Sequence, residues 1–103
     1  MIALVEDNQE NLSALCRKYA VRRLDLFGSA TSEAEFDFDR SDLDFLVEFD
    51  RTDRIGPADQ YFGLLDELRK LFDREIHLVS IRSLRNPYFI DAVARTRQSV
   101  YAS

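Results

Sequence analysis

The chain is poor in the residues that would staple it, anchor it or bind it to a polyanion. Its single cysteine, Cys16, excludes an internal disulfide. The placement of that thiol among Leu12, Leu15 and Tyr19 suits burial on a helix rather than catalysis. No run of roughly 18 apolar residues occurs, which excludes an ordinary membrane-crossing helix. The opening MIALVEDNQEN lacks the basic, apolar and small-residue zones of a signal peptide, so the expected address is the cytoplasm, with no membrane partner. Basic residues are outnumbered, 14 against 19 acidic, and the net charge of -5 argues against a strong grip on a phosphate backbone. Free nucleic acid is therefore not an expected partner. Repeats, low-complexity tracts and linkers are missing as well, and 103 residues suit one domain, 1–103, since compact domains usually need roughly 100 to 150.

What is present is a balance of 46% apolar and 32% charged residues, enough for a packed core. Leu12, Leu15, Cys16 and Tyr19 recur at helical spacing between residues 8 and 20, with Asp7 and Glu10 placed as a capping-box-like start. Residues 23–27, RLDLF, read as a short strand ended by Gly28-Ser29, where glycine permits a sharp turn and serine can cap a following helix. The run 42–49, DLDFLVEF, reads as a largely buried strand. After the break at Gly56-Pro57, Tyr61, Leu64, Leu65, Leu68, Leu71 and Phe72 keep helical spacing as far as Asp73. EIHLV at 75–79 is a third strand, and Asn86-Pro87 opens a last helix expected from about Tyr88 to Val100. The order α-β-α-β-α-β-α predicts an α/β (α+β) fold with a small mixed sheet covered by helices.

Chemistry concentrates where Gly28-Ser29 is followed by twelve residues, 30–41, and then by Asp42-Leu43-Asp44 opening a hydrophobic strand. Alternation along a strand puts Asp42 and Asp44 on one side, where two carboxylates can share hard divalent cations. The glycine lets a phosphate approach the backbone, and the amides of a helix start favour anions, with the Ser29 hydroxyl as a further donor. Either half alone is weak, since Asp-x-Asp is commonly a solvated strand end. In this order, flanked as LFGS and SDLDFLVEF, they resemble the signature of the DNA polymerase β-like nucleotidyltransferases, and especially the minimal nucleotidyltransferase (MNT) antitoxins. The LRNPYF stretch at 84–89 and the expected closing helix extend the resemblance over nearly the whole chain.

The resemblance implies two-metal nucleotidyl transfer from Mg-ATP, with Asp42 and Asp44 as metal ligands and catalytic residues, and Gly28 and Ser29 holding the phosphates. It also implies a HEPN-domain ribonuclease toxin as partner, neutralised by binding or by transfer of AMP to a tyrosine hydroxyl. The acidic surface suits a basic ribonuclease. The family's third carboxylate falls on His77 when the chain is aligned on Leu78-Val79. Imidazole is a poor ligand for Mg²⁺, so His77 is either a lost third ligand or a general base of near-neutral pKa. Glu75, on the same face about 6 to 7 Å along the strand, is either a substitute ligand or an exposed strand-end charge. Loop 30–41 lacks the family's arginine after Gly-Ser and carries Glu33, Glu35, Asp37 and Asp39, with Arg40 as a candidate compensating cation. Phe36 and Phe38 among those acids fit a hairpin edge, a partner surface or a lid. Tyr88 and Tyr101, both expected on the last helix, are either candidate contacts in an oligomer or ordinary core edges.

The resemblance implies three candidate functions. One is an enzyme that transfers AMP to its protein partner, and a second is an antitoxin acting by binding alone. The third, a small-molecule transferase of the aminoglycoside-modifying type, usually needs a second domain for its acceptor.

Overall fold

In the computed structural model, which describes residues 1–103, the apolar stretches pair into one four-stranded sheet. β1 (Val21–Phe27) runs antiparallel to β2 (Leu43–Phe49) and to β4 (Gln98–Ala102), and β3 (Ile76–Ser80) lies parallel to β2, giving the order β3-β2-β1-β4. A parallel neighbour requires a crossover, supplied by α3 (Pro57–Phe72). Its apolar stripe at Leu64, Leu68 and Phe72 then lands on the sheet.

Strand alternation separates the two faces. Leu24, Leu26, Leu43, Phe45, Val47, Ile76 and Leu78 join the main core with α1 (Ala3–Glu6), α2 (Gln9–Lys18) and α3. Each leucine fully buried there contributes about 2 kcal/mol. The intervening residues Asp25, Phe27, Asp44, Leu46, His77 and Val79 face the other way. On that side α4 (Pro87–Thr96) buries only Val93, against Phe27 and Leu46. The second face is thus partly open, and the polar side chains of β2 and β3 lie on it.

Two buried polar groups fix the frame. Asp25, 1% exposed, is bonded by Arg97, whose Nε donates at 2.8 Å, and by Arg23, so the link between α4 and β4 is tied to β1. Gln60 donates its amide to the carbonyls of Tyr19 at 3.0 Å and Asp50 at 2.9 Å, pinning α3 to the end of the antiparallel pair where β1 starts and β2 finishes.

Several local expectations are corrected. Helix α2 begins after Asn8 with no side-chain cap, so Asp7 and Glu10 form no capping box, and the short α1 precedes it. Gly28-Ser29 opens a single 3-10 turn (Gly28–Thr31), not an α-helix, because the acidic loop that follows offers no apolar stripe to bury. The last helix stops at Thr96, and Gln98–Ala102 forms β4 at the sheet edge, so Tyr101 lies on a strand while Tyr88 stays on α4, 86% exposed. Asn86 does cap α4, accepting from the amides of Tyr88 and Phe89. Cys16 is fully buried, and burial pushes its thiol up to about 12, which leaves it inert. No helix is long and apolar enough to cross a membrane.

Candidate active site

β1 delivers Gly28 to the edge of the open face with φ +75°, a conformation that favours glycine. Space makes the same demand. A Cβ on Gly28 would stand 2.6 Å from Asp44 Oδ2, so the turn and the carboxylate are in contact. The turn is braced on both sides, since Gly28 N–H donates to Thr96 Oγ1 at 3.1 Å and Thr31 Oγ1 donates to Gly28 O at 2.7 Å. Ser29 follows half-buried in the 3-10 turn. The α-helix dipole expected beyond it is replaced by the amides of that one turn.

Register decides which side chains meet. Asp44 pairs with Phe27 on one side and with His77 on the other, because β3 is parallel to β2 in that alignment. Asp42, just before β2, shares the face of Asp44 because Leu43 between them enters the core. His77 Nδ1 lies 3.0 Å from Asp44 Oδ1, and Nε2 lies 3.3 Å from Asp42 Oδ2. One imidazole thus bridges both carboxylates. Burial raises the pKa of Asp44 and the charge of Asp42 adds to that rise, while His77 opposes it.

The other acids stand apart from this group. Glu75 pairs with Arg69 at 2.8 Å and remains exposed, as a strand-end charge does. Glu33 accepts the Ala3 amide at 2.9 Å, and Glu35, Asp37, Asp39 and Arg40 are exposed. Phe36 and Phe38 meet edge-on and flank Arg74, and no strand forms between Thr31 and Leu43, so the expected hairpin edge is absent. The carboxylate oxygens of Asp42 and Asp44 match the hard donors that Mg²⁺ takes. The imidazole does not match, and since each ring nitrogen faces a different carboxylate, the three side chains form no ready-made cage around one point. A cavity of about 640 Å³ lies at the opposite end of β2 and β3, lined by Phe49, Gln60, Tyr61, Ser80 and Arg82. It shares no residue with the carboxylate group, which occupies an open shelf.

A family model described as polymerase beta, nucleotidyltransferase matches residues 10–103. The chain belongs to that family. A Methanocaldococcus jannaschii relative named "Putative protein adenylyltransferase MJ1379" is 32% identical over 71 residues, which span 69% of this chain and 68% of the relative. The solved structure of a "putative minimal nucleotidyltransferase" superposes with TM-score 0.71 at 26% identity, covering 91% of this chain and 90% of that one. A complex of a Shewanella oneidensis tri-AMPylated HEPN toxin with its MNT antitoxin matches with TM-score 0.65 at 19% identity, over 96% of this chain and 73% of that one. A toxin-antitoxin structure with AMP-PNP matches with TM-score 0.68 at 20% identity, over 93% and 74%. The nucleotidyltransferase fold expected from Gly28-Ser29 and Asp42/Asp44 is thereby shown, a mixed four-stranded sheet with helices.

Thr96 and Arg74 carry contacts at this site that the sequence reading missed. Thr96 lies 68 positions from the glycine it braces, and no local pattern announces it. Arg74 had one available signal, a lone cation at the turn into the histidine strand, opposite a loop of acids and phenylalanines.

Proposed function

We propose that this nucleotidyltransferase is an antitoxin that transfers AMP from Mg-ATP to a hydroxyl of a HEPN-type ribonuclease toxin in the cytoplasm. The observation that carries the proposal is the contact between the Gly28 turn and Asp44, with Asp42 beside it. A phosphate cradle adjoins a pair of hard carboxylate ligands. The amides of the turn and the Ser29 hydroxyl hold the triphosphate, and Asp42 and Asp44 hold Mg²⁺. When bound, Mg²⁺ offsets the charge developing on the attacking oxygen and on departing pyrophosphate. The acceptor oxygen forms its bond to the α-phosphorus as the bond to the pyrophosphate oxygen breaks in line, and the hydroxyl proton is released. The relative's adenylyltransferase name and the AMPylated HEPN toxin in the similar complex support this choice of reaction and partner.

The histidine favours a second reading, an antitoxin that neutralises its partner by binding alone. His77 stands beside Asp44 in the register, with its imidazole between the two carboxylates. One experiment separates the two. The chain is incubated with its HEPN-type partner, sought as the product of the neighbouring gene, with labelled ATP and Mg²⁺, and the assay is repeated with Asp42→Asn/Asp44→Asn. Transfer to the partner that disappears in the double variant is the expected result. Neutralisation of the ribonuclease with no label transferred would leave binding as the function.

A further inference from the structure

Asp42 precedes β2 rather than lying within it, so it has no paired residue of its own on a neighbouring strand. Its two flanking peptides are held from the turn between α3 and β3, the second of them beside the first pair of the β2–β3 ladder. On one side Arg74 Nη1 donates to Ser41 O at 3.3 Å and to Phe38 O at 3.0 Å. On the other, Leu43 N–H donates to Glu75 O at 3.3 Å.

The Arg74 guanidinium also lies 4.6 Å from the ring centre of Phe38 and 5.3 Å from that of Phe36, distances at which an arginine is attracted to an aromatic face. Residues 37–41 close on themselves, with the amides of Arg40 and Ser41 donating to Asp37 O at 3.1 and 2.7 Å and Asp37 N–H donating to Ser41 Oγ at 2.9 Å. This turn is a unit, and Arg74 attaches it to the rest of the molecule. A cation at that point also offsets Asp37 and Asp39, which would otherwise repel a loop drawn toward Asp42.

We infer that Arg74 is a positioning residue that clamps the acidic turn 37–41 and thereby sets the place of the Asp42 carboxylate. The loop is a held strut rather than a freely moving lid. The catalytic consequence rests on the reading of Asp42 as a cation ligand, whereas the clamp itself does not.

The test uses Arg74→Ala, Arg74→Lys and Phe38→Ala, with Mn²⁺ alone as a paramagnetic probe of the carboxylates and amide hydrogen exchange as a probe of the loop. In Arg74→Ala, exchange at residues 37–43 accelerates while the amides of β1 and α3 keep their wild-type protection, the mark of local rather than global loosening. The Mn²⁺ dissociation constant rises roughly ten-fold, as removal of an outer partner of a metal ligand typically produces. Arg74→Lys keeps the charge but loses the planar fork and the stacking, and falls between wild type and alanine. Phe38, 64% exposed, can be truncated without disturbing the core, so Phe38→Ala moves both readouts the same way even where Arg74→Ala fails to fold. Unchanged exchange at residues 37–43 in Phe38→Ala and in folded Arg74→Ala overturns the clamp. Faster exchange with Mn²⁺ affinity unchanged overturns its effect on Asp42. A wild-type chain that takes up no Mn²⁺ would count against the cation-binding reading, while the exchange result would still decide the clamp.

Discussion

Gly28→Ala tests whether the phosphate turn and the carboxylate are one mechanical unit. Two costs meet at this position. The backbone at φ +75° costs an L-residue about 1 to 2 kcal/mol. The added Cβ, at 2.6 Å from Asp44 Oδ2, falls about 0.8 Å short of the 3.4 Å at which ordinary contact begins. Asp44 has little freedom to retreat, because its Oδ1 is already 3.0 Å from His77 Nδ1. The unfolded chain returns part of this, since replacing glycine by alanine lowers its entropy by about 0.4 to 1 kcal/mol. A net loss of about 1 to 2 kcal/mol corresponds to a fall in Tm of roughly 5 to 15 °C for a domain of this size. Thermal unfolding followed by circular dichroism measures it, and the cycle with Asp44→Ala apportions it. Removing the carboxylate relieves the collision and leaves only the backbone cost, so the two substitutions couple by about 1 kcal/mol. A Gly28→Ala protein with wild-type Tm, or a loss unaffected by Asp44→Ala, would refute the contact on which the site is built.

Other perturbations read separate parts of the molecule. His77→Asp places three carboxylates together, so it lowers Tm in the absence of divalent cations, gains more from added Mg²⁺ than wild type does, and transfers AMP faster. Slower transfer would identify His77 as the base instead. Asp44→Asn probes the raised pKa. Because the folded state holds the proton more tightly, the stabilisation from protonated Asp44 is full below the unfolded value of 3.8 and is lost as pH rises through the folded value. The asparagine variant therefore matches wild type in acid and exceeds it in Tm at neutral pH, and a gap independent of pH would contradict the assignment. Arg97→Met strips the main partner from Asp25, which is 1% exposed, and costs about 3 kcal/mol in urea unfolding. A loss under 1 kcal/mol would mean that Arg23 alone satisfies the carboxylate.

Periodicity carried the parts of the fold in which burial is one-sided and local. The stripe Leu64, Leu68 and Phe72 of α3, and the strands around Leu24, Phe45 and Leu78, were legible because each presents its apolar residues at the period of its own geometry. The segment 98–102 was not. QSVYA buries only Val100 at the sheet edge, so it carries too little pattern to distinguish a strand from the tail of a helix. The turn after Gly28-Ser29 misled for a related reason, since a glycine-serine pair announces a change of direction but not the length of helix that follows.

For the candidate site the division is equally physical. The sequence alone determined that Asp42 and Asp44 share a face, that Gly28 ends a strand, and that His77 stands where the family resemblance places a carboxylate. These follow from spacing within a single element or from motif. Only the tertiary structure decided that Gly28 touches Asp44, that one imidazole reaches both carboxylates, that Glu75 turns away to Arg69, and that Thr96 and Arg74 brace the site. Those contacts cross from strand to strand or from helix to loop. Their existence depends on sheet order and register, which are set by the whole core at once and by no local run of residues.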